Sequence, residues 1–148
     1  MKAYANYDNE VGYVQGLNYV VGLMLYFIGD EEQVFWCLFN LMQGRWGWRL
    51  IYTENLPKLH VMLACLKERL EMEFPKVMKH LTNNYLEVYG TFSPLFMTLF
   101  VYMSPFESAS RLFEMFILDG EMVLIRLLLR MIEVKEKKIL TLVDMKLQ

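Results

Sequence analysis

Cysteine, histidine and proline are scarce in this chain: two, two and four residues among 148. Two cysteines do not build a disulfide framework. Cys37 and Cys65 each sit in an apolar helical pattern and read as buried free thiols of a reducing, intracellular compartment. His60 and His80 have no ligand-spaced partners, which excludes a metal site of the usual kind. Cys65 and His60 lie at helical spacing, but nothing supplies the third group that would orient a nucleophile pair. No glycine-rich loop ending in lysine is present, so the chain does not read as a nucleotide binder. A basic excess is also missing, with 15 Lys and Arg against 17 Asp and Glu, a net charge of −2. A phosphate backbone needs a basic stripe, so nucleic acid is excluded as a partner. The one local cluster, Lys135, Lys137 and Lys138, is interleaved with Glu133 and Glu136 and reads as a solvated helix face. The start of the chain lacks the basic and apolar regions of a secretory signal. Hairpin signals are absent too, since the one Asp-Gly pair, Asp119-Gly120, falls between helical patterns.

Apolar residues are abundant instead, at 55% of the chain, with aromatics at 15%. Residues 11–29 and 88–106 carry no charge, and each is long enough to span a bilayer. Gln15 and Asn18 interrupt the first; Thr91, Ser93, Pro94, Thr98 and Ser104-Pro105 interrupt the second. The charges flanking the first are acidic, with no positive-inside bias, which favours buried helices over a membrane span.

Helical punctuation is frequent. Asp30-Glu31-Glu32-Gln33 has the pattern of a capping box before an apolar helix ending near Gln43-Gly44, and Ser104-Pro105-Phe106-Glu107 has the same pattern. Pro57 opens a helix whose Leu59, Met62, Leu63, Leu66 and Leu70 share one face, and Pro75 opens a shorter one to about Thr82. Gly90 to Pro94 reads as a break, followed by a buried helix over 95–103. Further helices are expected over 105–118, 121–133 and 136–147. The fold class is all-α, a single multi-helix domain of about seven to nine helices.

Two segments stand out chemically. Residues 10–19 read as helical, with Gly12, Gln15, Gly16, Asn18, Tyr19 and Gly22 on one side and an apolar back. That side either packs against a neighbouring helix through its small residues or presents Gln15, an uncharged donor and acceptor, to a partner. The loop-like stretch Gly44 to Tyr52 carries Arg45, Trp46, Trp48 and Arg49. It reads equally as a partner-contact patch, since Trp and Arg dominate interface hot spots, or as a loop pinned to the core by its indoles.

The order of these features resembles the TBC domain family, from the first residues to about Leu140. The resemblance is carried by Lys2-Ala3-Tyr4-Ala5, by Tyr7-Asp8-Asn9-Glu10-Val11-Gly12-Tyr13-Val14-Gln15-Gly16-Leu17-Asn18-Tyr19, and by the aromatic helix opened at Asp30. Leu56-Pro57-Lys58-Leu59, Leu95-Phe96-Met97-Thr98-Leu99-Phe100 and Arg111-Leu112-Phe113-Glu114 follow in the family's order. The resemblance implies an all-helical domain that activates GTP hydrolysis by Rab-type small GTPases. Gln15 would be the catalytic glutamine finger, supported by Tyr13, with Gly12, Gly16, Asn18, Arg45, Trp46 and Trp48 as partner contacts. The chain would need no cofactor of its own, because GTP and Mg²⁺ belong to the partner GTPase. It would be cytoplasmic, at endomembrane surfaces, touching membrane only through that partner. Two departures accompany the match. Leu95 and Phe113 replace the family's usual tryptophans. The family's arginine motif, Ile-x-x-Asp-x-x-Arg, does not occur, so residues 1–148 are expected to form the later part of such a domain, truncated at the N-terminus and impaired in catalysis. A Rab-binding module without catalysis is the alternative, and a small membrane protein is a further one.

Overall fold

The computed structural model describes residues 1–142. In chain order the α-helices are α1 (Lys2–Tyr7), α2 (Leu17–Ile28), α3 (Glu31–Gln43), α4 (Pro57–Glu73), α5 (Pro75–Asn83), α6 (Val88–Met97), α7 (Phe106–Asp119) and α8 (Met122–Ile139). A short 3₁₀ turn, Trp48–Ile51, lies between α3 and α4. Among the described residues there is no strand, and the all-α expectation holds.

Local signals account for several of these elements. Gly29 closes α2 in the left-handed conformation, its N–H bonded to the Leu25 carbonyl. Asp30 then caps α3, its Oδ1 accepting from the Gln33 N–H at 2.8 Å. This tight connection folds α2 back onto α3. Pro57 and Pro75 open α4 and α5 at positions where a missing N–H costs nothing. Leu59, Met62, Leu63, Leu66 and Leu70 of α4 are all buried, as their spacing predicts. α4 is the central element, packing on α5, α6, α8 and the 3₁₀ turn.

Four readings are corrected. Gly90 and Pro94 do not break the chain but lie inside α6. Both are exposed, and Pro94 has no N–H to donate to the Gly90 carbonyl. The break comes later, at Leu99 (φ 48°) and Phe100 (φ 64°), so no helix covers 95–103. Both side chains are fully buried, and that burial offsets the left-handed backbone. Ser104 forms no capping box; extended Pro105 occupies the cap position, with no side-chain hydrogen bond. α8 runs unbroken from Met122 to Ile139, where two helices were expected, because no helix-breaking residue separates 133 from 136. The end of the expected 136–147 helix lies outside the described residues. Cys37 is exposed and Cys65 partly so, both free, which corrects the expectation of buried thiols. No helix among the described residues is long and apolar enough to cross a membrane.

Candidate functional site

The segment from Asp8 to Gly16 is not helical. α1 ends with Asp8 at its C-cap, and α2 begins only at Leu17, with Gly16 as its N-cap. Gly12 (φ 59°) and Gly16 (φ 105°) adopt backbone angles open to glycine and costly for other residues. The small residues that suggested a helix stripe therefore shape a loop, and the expected helix over 10–16 is corrected.

The loop is anchored at both ends. At the first end, Asp8 is 6% exposed. Its carboxylate accepts from Arg49 twice, Nε to Oδ2 at 2.6 Å and Nη2 to Oδ1 at 2.8 Å. Oδ2 also accepts from the Tyr4 hydroxyl at 3.2 Å, and Oδ1 from the Val11 N–H at 3.3 Å. Arg49 Nη2 reaches Glu10 Oε2 as well, at 2.6 Å. The hydrogen bonds from Arg49 hold the Asp8 carboxyl below the usual carboxylate range, against the opposing effect of burial. Burial, reinforced by the adjacent Asp8 charge, pushes the Tyr4 hydroxyl up to about 12. Arg49 is raised in turn, first by Asp8 and then by Glu10. It rides on the 3₁₀ turn, which is fixed by Trp48, fully buried and edge-on to Phe116 at 4.7 Å between ring centroids.

At the second end, Gly16 is buried against the turn after α6. A Cβ there would lie 3.4 Å from Thr98 Cγ2 and 3.5 Å from the Met97 carbonyl oxygen. That oxygen accepts from the Tyr52 hydroxyl at 2.6 Å. The Gly16 N–H donates to Asn18 Oδ1 at 3.1 Å. Between the anchors, Tyr13 (69% exposed) and Gln15 project from the surface. Gln15 borders a depression of about 410 Å³ lined by Gly16, Tyr19, Pro94, Met97, Thr98 and Tyr102.

The residues expected at the site or in partner contacts separate into three groups and one buried tryptophan. Gln15, Tyr13 and half-buried Gly12 lie on the loop. Gly16 and Asn18 shape its downstream end: Gly16 is buried apart from the edge it gives the depression, and exposed Asn18 accepts the Gly16 N–H through its side-chain oxygen. Arg45 is exposed over the half-buried Trp46 ring, 4.5 Å from its centroid. Those two border a different groove, of about 610 Å³, which shares no lining residue with the Gln15 depression. Trp48 has no exposed surface, so its expected partner contact is corrected: its indole pins the loop to the core. Tyr13 stands on the loop ahead of α2, which starts only at Leu17. The expectation missed Asp8, Glu10, Arg49 and Tyr52 as determinants of the site. Asp8 and Arg49 are 41 residues apart, and no local pattern links them.

The structure defines a class: an all-helical domain with an exposed Tyr-x-Gln segment on a doubly anchored loop. The comparisons give the class its family. The Rab-GTPase-TBC domain profile matches residues 1–140, and the chain belongs to the RabGAP-TBC family. It is 31% identical over 140 residues to TBC1 domain family member 4 of Mus musculus, covering 95% of this chain and 11% of that protein. It is 31% identical over 120 residues to the Rab GTPase-activating protein eat-17 of Caenorhabditis elegans, covering 81% and 13%. A third relative is the GTPase-activating protein GYP5 of Saccharomyces cerevisiae, 29% identical over 126 residues, covering 85% and 14%. The chain thus spans less than a fifth of the length of these relatives.

Proposed function

We propose that this chain binds GTP-loaded Rab-type GTPases and contributes Gln15 to GTP hydrolysis as a glutamine finger in trans. The observation that carries the reading is the exposure of Gln15 on a loop fixed at both ends, within a chain of the RabGAP-TBC family. Phosphoryl transfer asks a protein mainly for positioning and electrostatic stabilisation. A neutral amide can accept from the attacking water and donate toward the phosphate. Tyr13 stands exposed beside it and supports the same contact. GTP and Mg²⁺ are held by the partner GTPase, and the chain needs no cofactor of its own. Its place is the cytoplasmic face of endomembranes, reached through the membrane-bound partner.

Residues 1–148 contain no Ile-x-x-Asp-x-x-Arg sequence. An arginine finger is worth roughly 10³–10⁵ in rate. Arg49 does not replace it, since its guanidinium is bound to Asp8 and Glu10. Without an arginine from another segment, these residues stimulate hydrolysis weakly or not at all, and binding without turnover becomes their role. Single-turnover hydrolysis across a panel of GTP-loaded Rabs, paired with pull-down, tests both parts. The expected outcome is GTP-dependent capture of at least one Rab, with hydrolysis near background for residues 1–148. With an arginine motif joined to residues 1–148, Gln15→Ala should lower the rate by about two orders of magnitude. Capture of no Rab in any nucleotide state overturns the reading.

A further inference from the structure

We propose that Arg49 is the positioning residue for Gln15: by clamping Asp8 and Glu10 it fixes the path of the loop on which the amide stands. The inference rests on the role proposed for Gln15 and adds a residue that touches neither partner nor nucleotide.

Three observations carry it. First, the contact is bidentate, from Nε and Nη2 to the two oxygens of one buried carboxylate, which fixes direction as well as distance. Second, the same carboxylate receives the Val11 N–H, so the clamp acts on the loop backbone and not only on a side chain. Asp8 also accepts the Gly12 N–H through its main-chain oxygen, at 2.8 Å. Third, Arg49 is itself seated, because neighbouring Trp48 is fully buried and the Arg49 side chain is only 20% exposed. The downstream anchor at Gly16 fixes position but supplies no charge-assisted bond. With Arg49 released, the loop keeps buried Val11, the packing of Val14 and the contact at Gly16, but no ion pair.

The consequence is kinetic. Contacts that only bind the GTPase set half-saturation, whereas an amide that must meet one water in line with a phosphate sets the turnover step. Displacing a positioned group by about 1 Å can cost on the order of 100-fold. Arg49→Met, with an arginine motif joined to residues 1–148, should therefore lower kcat by about ten- to a hundredfold while KM for the Rab stays within about twofold. Arg49→Lys should rescue little, because an ammonium cannot span both carboxylate oxygens. On a Gln15→Ala background, Arg49→Met should cost almost nothing further, since the group it positions is gone.

Amide hydrogen exchange supplies the structural readout. Exchange at residues 11–16 should accelerate in Arg49→Met, while the cores of α3 and α4 remain protected. Should Arg49→Met fail to fold, Glu10→Gln, at the exposed arm of the clamp, gives the same pattern at smaller amplitude. Unchanged exchange in the loop overturns the proposal. So does a loss confined to KM, or losses that multiply on the Gln15→Ala background. Undiminished hydrolysis by Gln15→Ala would remove the glutamine reading instead. In that case, or if no Rab is turned over, loop exchange alone decides whether the clamp exists.

Discussion

Asp8 is charged, nearly buried and surrounded by partners, and that combination has a pH signature. Its folded-state pKa lies below the ordinary carboxylate value of about 4, with the hydrogen bonds from Arg49 as the leading cause. A depressed carboxylate contributes stability that is complete above the unfolded value and is lost as pH falls through the folded one. The clamp is therefore intact from neutrality down to about pH 4. Below that, wild-type stability should decline more steeply than that of Asp8→Asn, which has no proton to take up at this position. Urea midpoints measured from pH 5 to pH 2 should show the two curves converging at the acid end. Parallel curves would mean that Asp8 titrates as an ordinary surface carboxylate. At the same scale, Trp48 and Arg45 show that residue type does not decide burial. Both come from one Trp- and Arg-rich stretch, yet one is sealed against Phe116 and the other is exposed over Trp46.

Elements whose ends are written in local chemistry were legible in the sequence. The start of α3 follows from Asp30, and those of α4 and α5 follow from Pro57 and Pro75. Asp30→Ala should destabilise the protein by about 1 kcal/mol, as removal of a side-chain cap does. Equilibrium unfolding checks this, and a change below about 0.3 kcal/mol would show that the exposed cap adds nothing to the Gly29 turn. Elements set by distant contacts were not legible. The Asp8–Gly16 loop carries a helix-like spacing of small residues, but its path is fixed by Arg49 upstream and by Met97 and Thr98 downstream. α6 was misplaced for a related reason: its end is set by the burial of Leu99 and Phe100 in left-handed conformations, which no local rule favours for large side chains. The Tyr-x-Gln-Gly-Leu-Asn segment was legible through its resemblance to the family rather than through periodicity, and its Gln15 is exposed.

At the scale of the molecule, aromatic rings gather on the surface of the described residues. Tyr26, Phe27 and Phe106 are 70%, 59% and 45% exposed. Their rings lie within 4.5 to 5.8 Å of one another. Residues 1–148 in isolation should therefore self-associate at high concentration through this cluster. Phe27→Ser should reduce the association seen by sedimentation velocity, with stability changed by no more than about 0.5 kcal/mol. A larger loss of stability would show that the ring belongs to the core.

The two anchors of the glutamine loop stand on different connections, one between α3 and α4 and the other just beyond α6. Tyr52, next to the 3₁₀ turn, ties the two supports together through the Met97 carbonyl. The loop can thus exchange its residue at exposed Asn9 but cannot change length. One inserted residue between Asp8 and Gly16 would swing the amide away, and one inserted after Met97 would do so from beneath. Between Asn84 and Glu87, where the chain is exposed and neither support is touched, an extra residue would leave the aim of Gln15 unaltered.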